Sequence, residues 1–426
     1  MMQVKEITTC RSCGSTKLET VLDLGNLCVS DFVTPGQDED RAPLELMVCE
    51  DCSLVQLRHT VERDRLYRDY WYHSGTNESM VAALRDVVEG ACRRVELTPG
   101  DAVLDIGAND GTLLRMFPGH WRRVGFEPAD IFSKDLSWMR TGDTWCPTYF
   151  PPDEKWLMES IFPSKPKIIA SIAMFYDLDD PNAFMSAIRD WLHPDGVWVC
   201  QFQDLHAMLA CNGFDNICHE HLTYWGQYAF YDLVARHGLR VVDVSHNKTN
   251  GGSVRYIVKH GNWNPPRPEP KHATQFRYQL HRFSREVERL KETTLLMLTE
   301  WKAQGKTVYG YGASTKGNTL LQYYGIGPEL LPAIADRNPD KWGRLTVGTH
   351  IPIISEEDMR EQRPDYLFVL PWAFIDAFMK REHRFLASGG QFIVPLPTLT
   401  TLGQEWDDSI VSAEQSDGLL SCLHQT

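Results

Sequence analysis

One stretch near the middle of the chain, "DAVLDIGANDGTLLRMF" from Asp101 to Phe117, restricts the choice of fold more than any other. The short apolar run from Val103 to Ile106 ends in a glycine turn, and a segment with helical spacing follows. A strand, a tight loop and a helix in this order are typical of layered α/β domains, whose loop can approach a nucleotide closely. We therefore expect a Rossmann-like α/β domain around this stretch.

The residues that follow predict which nucleotide the loop would take. The segment "RRVGFEP" predicts a second strand ending at Glu127, where a carboxylate can accept both hydroxyls of a ribose. The "GANDG" loop lacks the three-glycine spacing of a pyrophosphate loop, which favours a nucleoside without a pyrophosphate over a hydride cofactor. A purely structural glycine turn is the alternative. "VLDIGANDGTLL" followed by "GFEP" resembles the cofactor loop of class I S-adenosylmethionine-dependent methyltransferases, and further strands are predicted within residues 167–178 and 196–204.

Two CxxC pairs, Cys10 with Cys13 and Cys49 with Cys52, predict a metal site near the N-terminus. Each CxxC turn brings two thiolates to one metal, and two turns complete a tetrahedral shell of four sulfurs. A shell filled by protein ligands has no open position, so we expect structural rather than catalytic zinc. The residues between the pairs must then form a loop or hairpin of their own. Four unrelated buried thiols, or a redox CxxC, are the alternatives.

A second strand–glycine loop–helix pattern, "KTVYGYGASTKGNTLLQYY", follows a long amphipathic segment that predicts a linking helix. We therefore predict three domains: zinc binding over 1–68, cofactor binding over 69–262, and a linker with a second Rossmann-like domain over 263–426. A packing role for the last domain stays open. We prefer substrate binding, with Lys316 and nearby amides holding a diphosphate at a helix N-terminus. The acidic stretch "EWDDSIVSAEQSDGLL" predicts a loosely held tail.

Composition excludes several classes of partner. The formal net charge of -14 argues against nucleic acid and against an anionic membrane surface. No apolar run approaches the roughly 20 residues that a membrane span needs, and the N-terminus lacks a leader pattern. The odd count of 11 cysteines fits a disulfide framework badly. We expect a cytoplasmic protein, monomeric or a small homo-oligomer, that acts on a small molecule.

The stretch "ICHEHLTYW" places Glu220 between His219 and His221. It follows a predicted strand by one helix-sized segment, so it can overhang the carboxyl edge of the sheet, where ligands bind in open α/β folds. A metal site is one interpretation, but the spacing is not the i, i+4 pair of zinc proteases. A general base oriented by the carboxylate suits histidine better. A polar loop that packs domains together is the third interpretation, and the pattern alone does not decide among them.

Taken together, five motifs resemble the sugar C-methyltransferase family, and in particular the 3-C-methyltransferases of nucleotide-linked hexoses. The resemblance covers residues 10 to about 400 in the same order as the motifs "CRSCGS…CEDC", "VLDIGANDG", "FDNICHEHLTYW", "NGGSVRYIV" and "VYGYGASTKGNTLLQYYGI". Family members methylate nucleotide-linked deoxysugars for antibiotics and cell-surface glycans. The resemblance thus implies a zinc module, a class I S-adenosylmethionine domain and a C-terminal Rossmann-like domain.

The resemblance also implies roles for individual residues. A base removes the acidified C3 proton of a 4-keto nucleotide sugar, and the enolate attacks the methyl group of the cofactor. In the family the His-Glu-His segment provides this chemistry, which makes His221 the base or enolate stabiliser and Glu220 its orienting partner, beside His219. The implied cofactor contacts are Tyr72, Ser74, Asp105, Gly107, Asn109, Glu127 and Ala173, and the implied substrate contacts are Gln203, Asn250, Lys316 and Asn318.

Three positions depart from the family pattern. Cys218 stands where members carry a tyrosine, Asp177 stands where they carry a histidine, and Asn250 begins "NGGS" where they have "HGGS". We count Cys218 and Asp177 among the candidate catalytic residues. The departures allow methylation of another atom or of another phosphorylated small molecule. A catalytically silent, zinc-containing binding protein is the remaining alternative.

Overall fold

The structure, a computed structural model, describes residues 2–68, 70, 72–153, 155–266 and 270–404. Trp71 and the acidic stretch after residue 404 lie outside the described residues. In the described part of the chain, no helix combines the length and the apolar character needed to cross a bilayer.

The first part of the chain is a small antiparallel unit. Its elements are β1 (Val4–Glu6), β2 (Leu18–Cys28), β3 (Phe32–Val33), β4 (Arg41–Cys49), β5 (Val55–Leu57), β6 (His59–Val61) and α1 (Arg63–Tyr67). β2 pairs with β4 in antiparallel register from Leu18 opposite Cys49 to Cys28 opposite Arg41. The residues between the two cysteine pairs therefore form the long antiparallel pair that the spacing requires.

The second part is built on a seven-stranded sheet. Its elements are α2 (Glu78–Cys92), β7 (Ala102–Ile106), α3 (Thr112–Met116), β8 (Arg122–Phe126), β9 (Thr144–Cys146), α4 (Lys155–Ile161), β10 (Ile168–Ile172), α5 (Pro181–Trp191), β11 (Val197–Gln203), α6 (Leu205–Ala210), β12 (Thr223–Tyr224), α7 (Gln227–Arg236), β13 (Leu239–Asn247) and β14 (Ser253–His260). The strand order is β13-β14-β11-β10-β7-β8-β9, with β13 and β14 antiparallel to their neighbours. All five residues of β7 are buried, as expected for a parallel strand covered on both faces.

Parallel strands bring distant residues to one edge of this sheet. Gly107 follows β7, Glu127 follows β8, Ala173 follows β10, and Gln203 ends β11. The chain proceeds from β7 to β8 on one side and later to β10 on the other, so the strand order reverses beside β7. Ligands of open α/β sheets bind at such a reversal, outside the carboxyl ends of the strands.

The last part begins with the predicted long helix and continues as a second α/β unit. Its elements are α8 (Pro270–Ala303), β15 (Val308–Tyr311), α9 (Thr315–Tyr324), β16 (Ile334–Ala335), β17 (Leu345–Thr346), β18 (Ile353–Ile354), α10 (Glu356–Gln362), β19 (Tyr366–Val369), α11 (Ile375–Arg381), α12 (His383–Ala387), β20 (Gln391–Val394) and β21 (Thr400–Leu402). The sheet order is β18-β16-β15-β19-β20-β21, and only β21 pairs antiparallel. The fold is thus α/β with two Rossmann-like sheets.

The three parts share strands and cores. β12, from the middle of the chain, pairs antiparallel with β5, and β17 pairs with β3. One apolar core unites side chains of all three parts, including Leu46, Val55, Phe214, Leu222 and Leu321. Because β12 starts two residues after His221, the His-Glu-His segment is held by the sheet of the first part.

Candidate active site

The loop after β7 has the backbone conformation that a close approach to a ligand requires. Gly107, Asn109 and Gly111 all have positive φ, at 72°, 51° and 73°. A Cβ at Gly111 would lie 2.3 Å from the Trp138 ring, and one at Gly107 would lie 3.2 Å from Met174. Both contacts are too close for a side chain, so the loop depends on its glycines.

Asn109 attaches this loop to the segment before α2. Its side chain accepts a hydrogen bond from the Ser74 amide at 2.9 Å and donates one to the Tyr72 carbonyl at 2.9 Å. The neighbouring Asp110 accepts from the Gly75 amide at 2.8 Å. Tyr72 and Ser74 therefore lie over the glycine loop, where the sequence predicts cofactor contacts.

Two carboxyl groups flank the same loop. Glu127 accepts hydrogen bonds from the Asn109 amide at 2.7 Å and from the Ala129 amide at 2.8 Å. These bonds fix its position, and a carboxylate has further lone pairs for ribose hydroxyls. Burial raises the pKa of Glu127. Burial, with the nearby Glu127 and Asp110, raises the pKa of Asp105 to about 8.

A narrow cavity opens at the carboxyl edge of β10 and β11. Ala173, with a positive φ of 56°, turns the chain at the end of β10 and donates its amide to the Gln201 carbonyl at 2.8 Å. The cavity is lined by residues of the second and third parts of the chain, among them Ile172, Ala173, Tyr176, Gln203, Asn250 and Lys316. The predicted cofactor residue Ala173 and three predicted substrate residues therefore share one space.

His221 packs against Tyr176, which lines this cavity, with 4.3 Å between the ring centroids. Its Nδ1 lies 2.8 Å from the Asn216 carbonyl oxygen. A carbonyl can only accept, so Nδ1 carries the hydrogen and Nε2 has the lone pair that a base needs. Burial, reinforced by the charge of Lys316, lowers the pKa of His221 to about 3, which keeps the imidazole neutral.

The two histidines of the segment point in different directions. A turn at His219 and Glu220 separates them, and the His221 amide donates to the Cys218 carbonyl at 3.1 Å. His219 is 4% exposed, and its Nε2 donates to the Ala42 carbonyl of β4 at 3.0 Å. Burial lowers its pKa to about 4. His219 thus connects the segment to the first part of the chain and lies outside the cavity lining.

Asp177 and Glu220 form a buried acidic pair beside the imidazole. Burial raises the pKa of both carboxyl groups, and the charge of Glu220 raises that of Asp177 further. Among the described residues, Asp177 Oδ1 and Glu220 Oε2 are buried without a hydrogen-bond partner. Burial and Glu220 also raise the pKa of the Cys218 thiol. Burial therefore shifts each of these acidic groups toward its protonated form.

The C-terminal part contributes Lys316 to the same site. Lys316 is near the start of α9, and its ammonium donates to Asn216 Oδ1 across the domain boundary. Asn318, two residues on, instead donates to the Asp31 carbonyl at 2.9 Å and to Ser30 Oγ at 3.3 Å. Lys316 is thus at the cavity, whereas Asn318 joins α9 to the first part of the chain.

The four cysteines fit a zinc ion. Their sulfurs all lie within 4.8 Å of one another, with 3.6 Å between Cys10 and Cys52 and 3.5 Å between Cys13 and Cys49. Tetrahedral Zn–S bonds of about 2.3 Å place sulfurs about 3.8 Å apart, close to these values. Over the residues that the structure describes, no other group of three or more such side chains is close enough to share a metal, so the His-Glu-His segment is not a metal site there.

Comparisons with known proteins identify the family. Three family models match the chain: "Putative zinc binding domain" over residues 10–67, "Methyltransferase domain" over 81–244, and "C-methyltransferase C-terminal domain" over 248–397. The C-methyltransferase NovU of Streptomyces niveus is 30% identical over 420 residues, which is 94% of this chain and 98% of the relative. The chain belongs to this C-methyltransferase family.

This membership makes the chain an S-adenosylmethionine-dependent C-methyltransferase with a zinc-binding module. Two solved structures are similar at low identity. An S-adenosylmethionine-dependent methyltransferase of Clostridium acetobutylicum is 11% identical, with 43% of this chain and 92% of that chain covered and a TM-score of 0.33. The glycopeptide N-methyltransferase MtfA is 12% identical, with 45% and 96% covered and the same TM-score.

Sequence reasoning missed two residues at the site, Tyr176 and Asn216. Tyr176 precedes Asp177 and packs against His221, and Asn216 accepts from both His221 and Lys316. The "FDN" letters upstream of the His-Glu-His segment, and a tyrosine at the end of a strand, were the available indications. Neither of these two sequence patterns is a known motif. Only the folded structure shows that Tyr176 and Asn216 lie at the same site.

Proposed function

We propose that this C-methyltransferase acts on a nucleotide-linked keto-deoxysugar and methylates the carbon beside the ketone, C3 of a 4-keto sugar, through an enolate. The observation that carries the proposal is the packing of the His221 imidazole against Tyr176, which lines the cavity together with Ala173. C-methylation needs a carbon nucleophile, and a carbon beside a ketone becomes one when a base removes its proton.

His221 is the base in this proposal. Its Nδ1 hydrogen is held by the Asn216 carbonyl, and Nε2 takes the substrate proton. Tyr176 packs on the ring and holds its orientation. Burial raises the pKa of Asp177 and of Glu220, and in their protonated forms these groups would donate hydrogen bonds to sugar oxygens. When bound, S-adenosylmethionine supplies an electrophilic methyl group at the cavity.

The cofactor would be held by the loop and the residues that pack on it. We propose that Glu127 accepts from the ribose hydroxyls, that Gly107 and Asn109 allow the close approach, and that the Tyr72–Ser74 segment covers the bound nucleoside. Gln203 and Asn250, on the other wall of the cavity, are proposed sugar contacts. A nucleotide-linked keto-deoxysugar substrate would place the enzyme in deoxysugar or antibiotic biosynthesis.

The test is mass spectrometry of reactions that contain S-adenosylmethionine and a panel of dTDP- and GDP-linked keto-deoxyhexoses. A sugar nucleotide that gains one methylene mass supports the proposal, and NMR of the product identifies the carbon. His221→Ala should abolish turnover and leave cofactor affinity within about threefold, since the ring contacts no proposed cofactor residue. His120→Ala, an exposed histidine at the opposite edge of the sheet, is the matched control.

No gain on any sugar nucleotide, with cofactor binding intact, would refute the substrate class. Methylation at an oxygen or nitrogen would refute the enolate route. That second outcome has a structural basis, because Cys218 and Asp177 replace the tyrosine and histidine of the family pattern beside the base.

A further inference from the structure

Lys316 is positioned for chemistry rather than for the diphosphate contact that its place near a helix N-terminus suggests. The first turn of α9 is already capped, because the Ser314 side chain accepts from the Gly317 amide at 3.0 Å. The lysine side chain instead extends to Asn216 and lines the cavity with Ala173 and Tyr176. Its ammonium therefore lies at the cavity in which the proposed substrate would bind.

One buried residue fixes both the base and this cation. The backbone oxygen of Asn216 accepts from His221 Nδ1, and its side-chain oxygen accepts from the Lys316 ammonium. Asn216 is 2% exposed, and its amide nitrogen donates to the Gly213 carbonyl at 2.9 Å. An imidazole and an ammonium are thus held side by side. An ammonium has three donors, so the same group can also donate to a substrate oxygen in the cavity.

Asp215, which precedes Asn216 in the chain, supports the charge of Lys316. Asp215, 4% exposed, accepts from the Trp372 indole at 3.0 Å and lies near Lys316. Burial lowers the pKa of Lys316, and Asp215 opposes that shift. A desolvated ammonium with a lowered pKa is a stronger hydrogen-bond donor than one in water.

We propose that Lys316 is a catalytic residue that binds the ketone oxygen of the substrate and stabilises the enolate oxyanion; this rests on the function proposed above. His221 Nε2 takes the α-proton, the C–H electron pair forms the C=C bond, and the carbonyl π pair moves to the oxygen at Lys316. When the α-carbon forms its bond to the methyl group, the bond between that methyl group and the sulfonium sulfur would break with its electron pair left on sulfur. The carbonyl is then restored, and the proton on His221 passes to solvent. Neither oxidant nor reductant is needed.

The properties of His221 make such a cation necessary. An imidazole with a lowered pKa is a weak base, so proton removal must be assisted by stabilising the anion that forms. Donors preorganised at a developing oxyanion contribute about 100- to 1,000-fold in rate. Asn216 places the two groups so that the proton leaves toward one and the charge develops toward the other.

The experiment follows exchange of the α-proton for deuterium by NMR. Full-length enzyme is incubated in deuterium oxide with S-adenosylhomocysteine and a dTDP-linked 4-keto-deoxyhexose, which reports enolisation without methyl transfer. Lys316→Met should slow both exchange and kcat by about 100-fold or more, with substrate KM and cofactor Kd changed by less than about threefold. Lys306→Met, in the same domain at the other end of β15, should behave as wild type, and circular dichroism checks that both variants fold.

The outcomes separate the possible roles. Wild-type exchange and kcat in Lys316→Met, with KM raised about tenfold or more, would make Lys316 a diphosphate-binding residue and overturn the proposal. A borohydride-stable substrate adduct on Lys316 would also overturn it, in favour of covalent catalysis. If the wild-type enzyme neither exchanges nor methylates any keto sugar nucleotide, the proposed function itself fails and the role of Lys316 fails with it.

Discussion

The pH dependence of kcat/KM tests the assignment of His221 as the base. A base is active when it is unprotonated, so activity is lost as the pH falls through the pKa of the free enzyme. Burial and Lys316 lower the pKa of His221 to about 3. An unperturbed histidine, with a pKa of about 6.5, would be only about 9% neutral at about pH 5.5, whereas His221 would be more than about 99% neutral. We therefore expect kcat/KM to change by less than about twofold between about pH 7.5 and 5.5.

The other titratable groups around the imidazole do not create an acid limb in this range. Burial raises the pKa of Asp177 and of Glu220, and a fall in pH favours the protonated forms that would donate to the sugar. Lys316 stays charged in acid. Loss of a proton from one of these groups would instead lower activity on the alkaline side, so we expect the profile to fall at high pH only.

The same shift in the pKa of His221 affects stability, so the assay needs a control. The unfolded chain binds a proton to this histidine below about pH 6.5, while the folded chain resists it down to a pKa of about 3. The stabilising contribution is present above about pH 6.5 and is lost as the pH falls toward the folded pKa. Samples returned from low to neutral pH must therefore recover full activity before their rates are used.

A reversible tenfold fall in kcat/KM, with its midpoint near pH 6.5, would refute the reasoning, because His221 would then titrate as if exposed. A further check is Lys316→Met. Removing the neighbouring cation should raise the pKa of His221, so any acid limb should appear at higher pH in the variant than in the wild type.

Three other measurements test separate parts of the structure. Chelation of zinc should lower methyl transfer, because Arg11 of the first cysteine turn donates to Asp179, in the loop after β10, at 3.1 Å. Full activity in a sample shown by elemental analysis to contain no metal would contradict this. Glu127→Ala should raise the Kd for S-adenosylmethionine about 10- to 100-fold by calorimetry, and an unchanged Kd would remove it from the ribose site. Gly252→Ala should destabilise the fold by about 1–3 kcal/mol in thermal unfolding, because φ at this position is 121° and the new Cβ would lie 2.6 Å from Ala207 Cβ. A melting temperature equal to that of the wild type would contradict this close contact.

Local patterns predicted the elements that carry the cofactor loop. The apolar run at Val103 to Ile106 lies within β7, the segment before Glu127 is β8, and the long amphipathic stretch is α8. These predictions use only neighbouring residues, because apolar periodicity and glycine turns can be recognised in short stretches of sequence. The spacing of the cysteines predicted the zinc site for the same reason, because the geometry of a CxxC turn is determined by adjacent residues.

The divergence of the two histidines could not be predicted in this way. An extended segment would have pointed His219 and His221 in the same direction, but a turn at Glu220 sends His219 to the Ala42 carbonyl. This hydrogen-bond partner lies on β4, 177 residues earlier, so no local sequence pattern predicts the contact. Lys316 is a second case: its contact with Asn216 spans 100 residues of sequence and has no local pattern, while its predicted diphosphate contact stays a prediction.

The pairing of β12 with β5 gives the zinc-binding part a direct role in holding the site. His221 is followed by Leu222, whose carbonyl accepts from the Leu57 amide at 2.9 Å, and then by β12. β4 and β5 are in turn joined through the loop that carries Cys49 and Cys52, so the metal closes the turn between the two strands that hold the catalytic segment. A methyltransferase segment cut at the end of the first part would expose Leu222 and Tyr224, both buried in the shared core. We therefore expect zinc to affect activity from a distance, by fixing the sheet edge that holds the segment of His221.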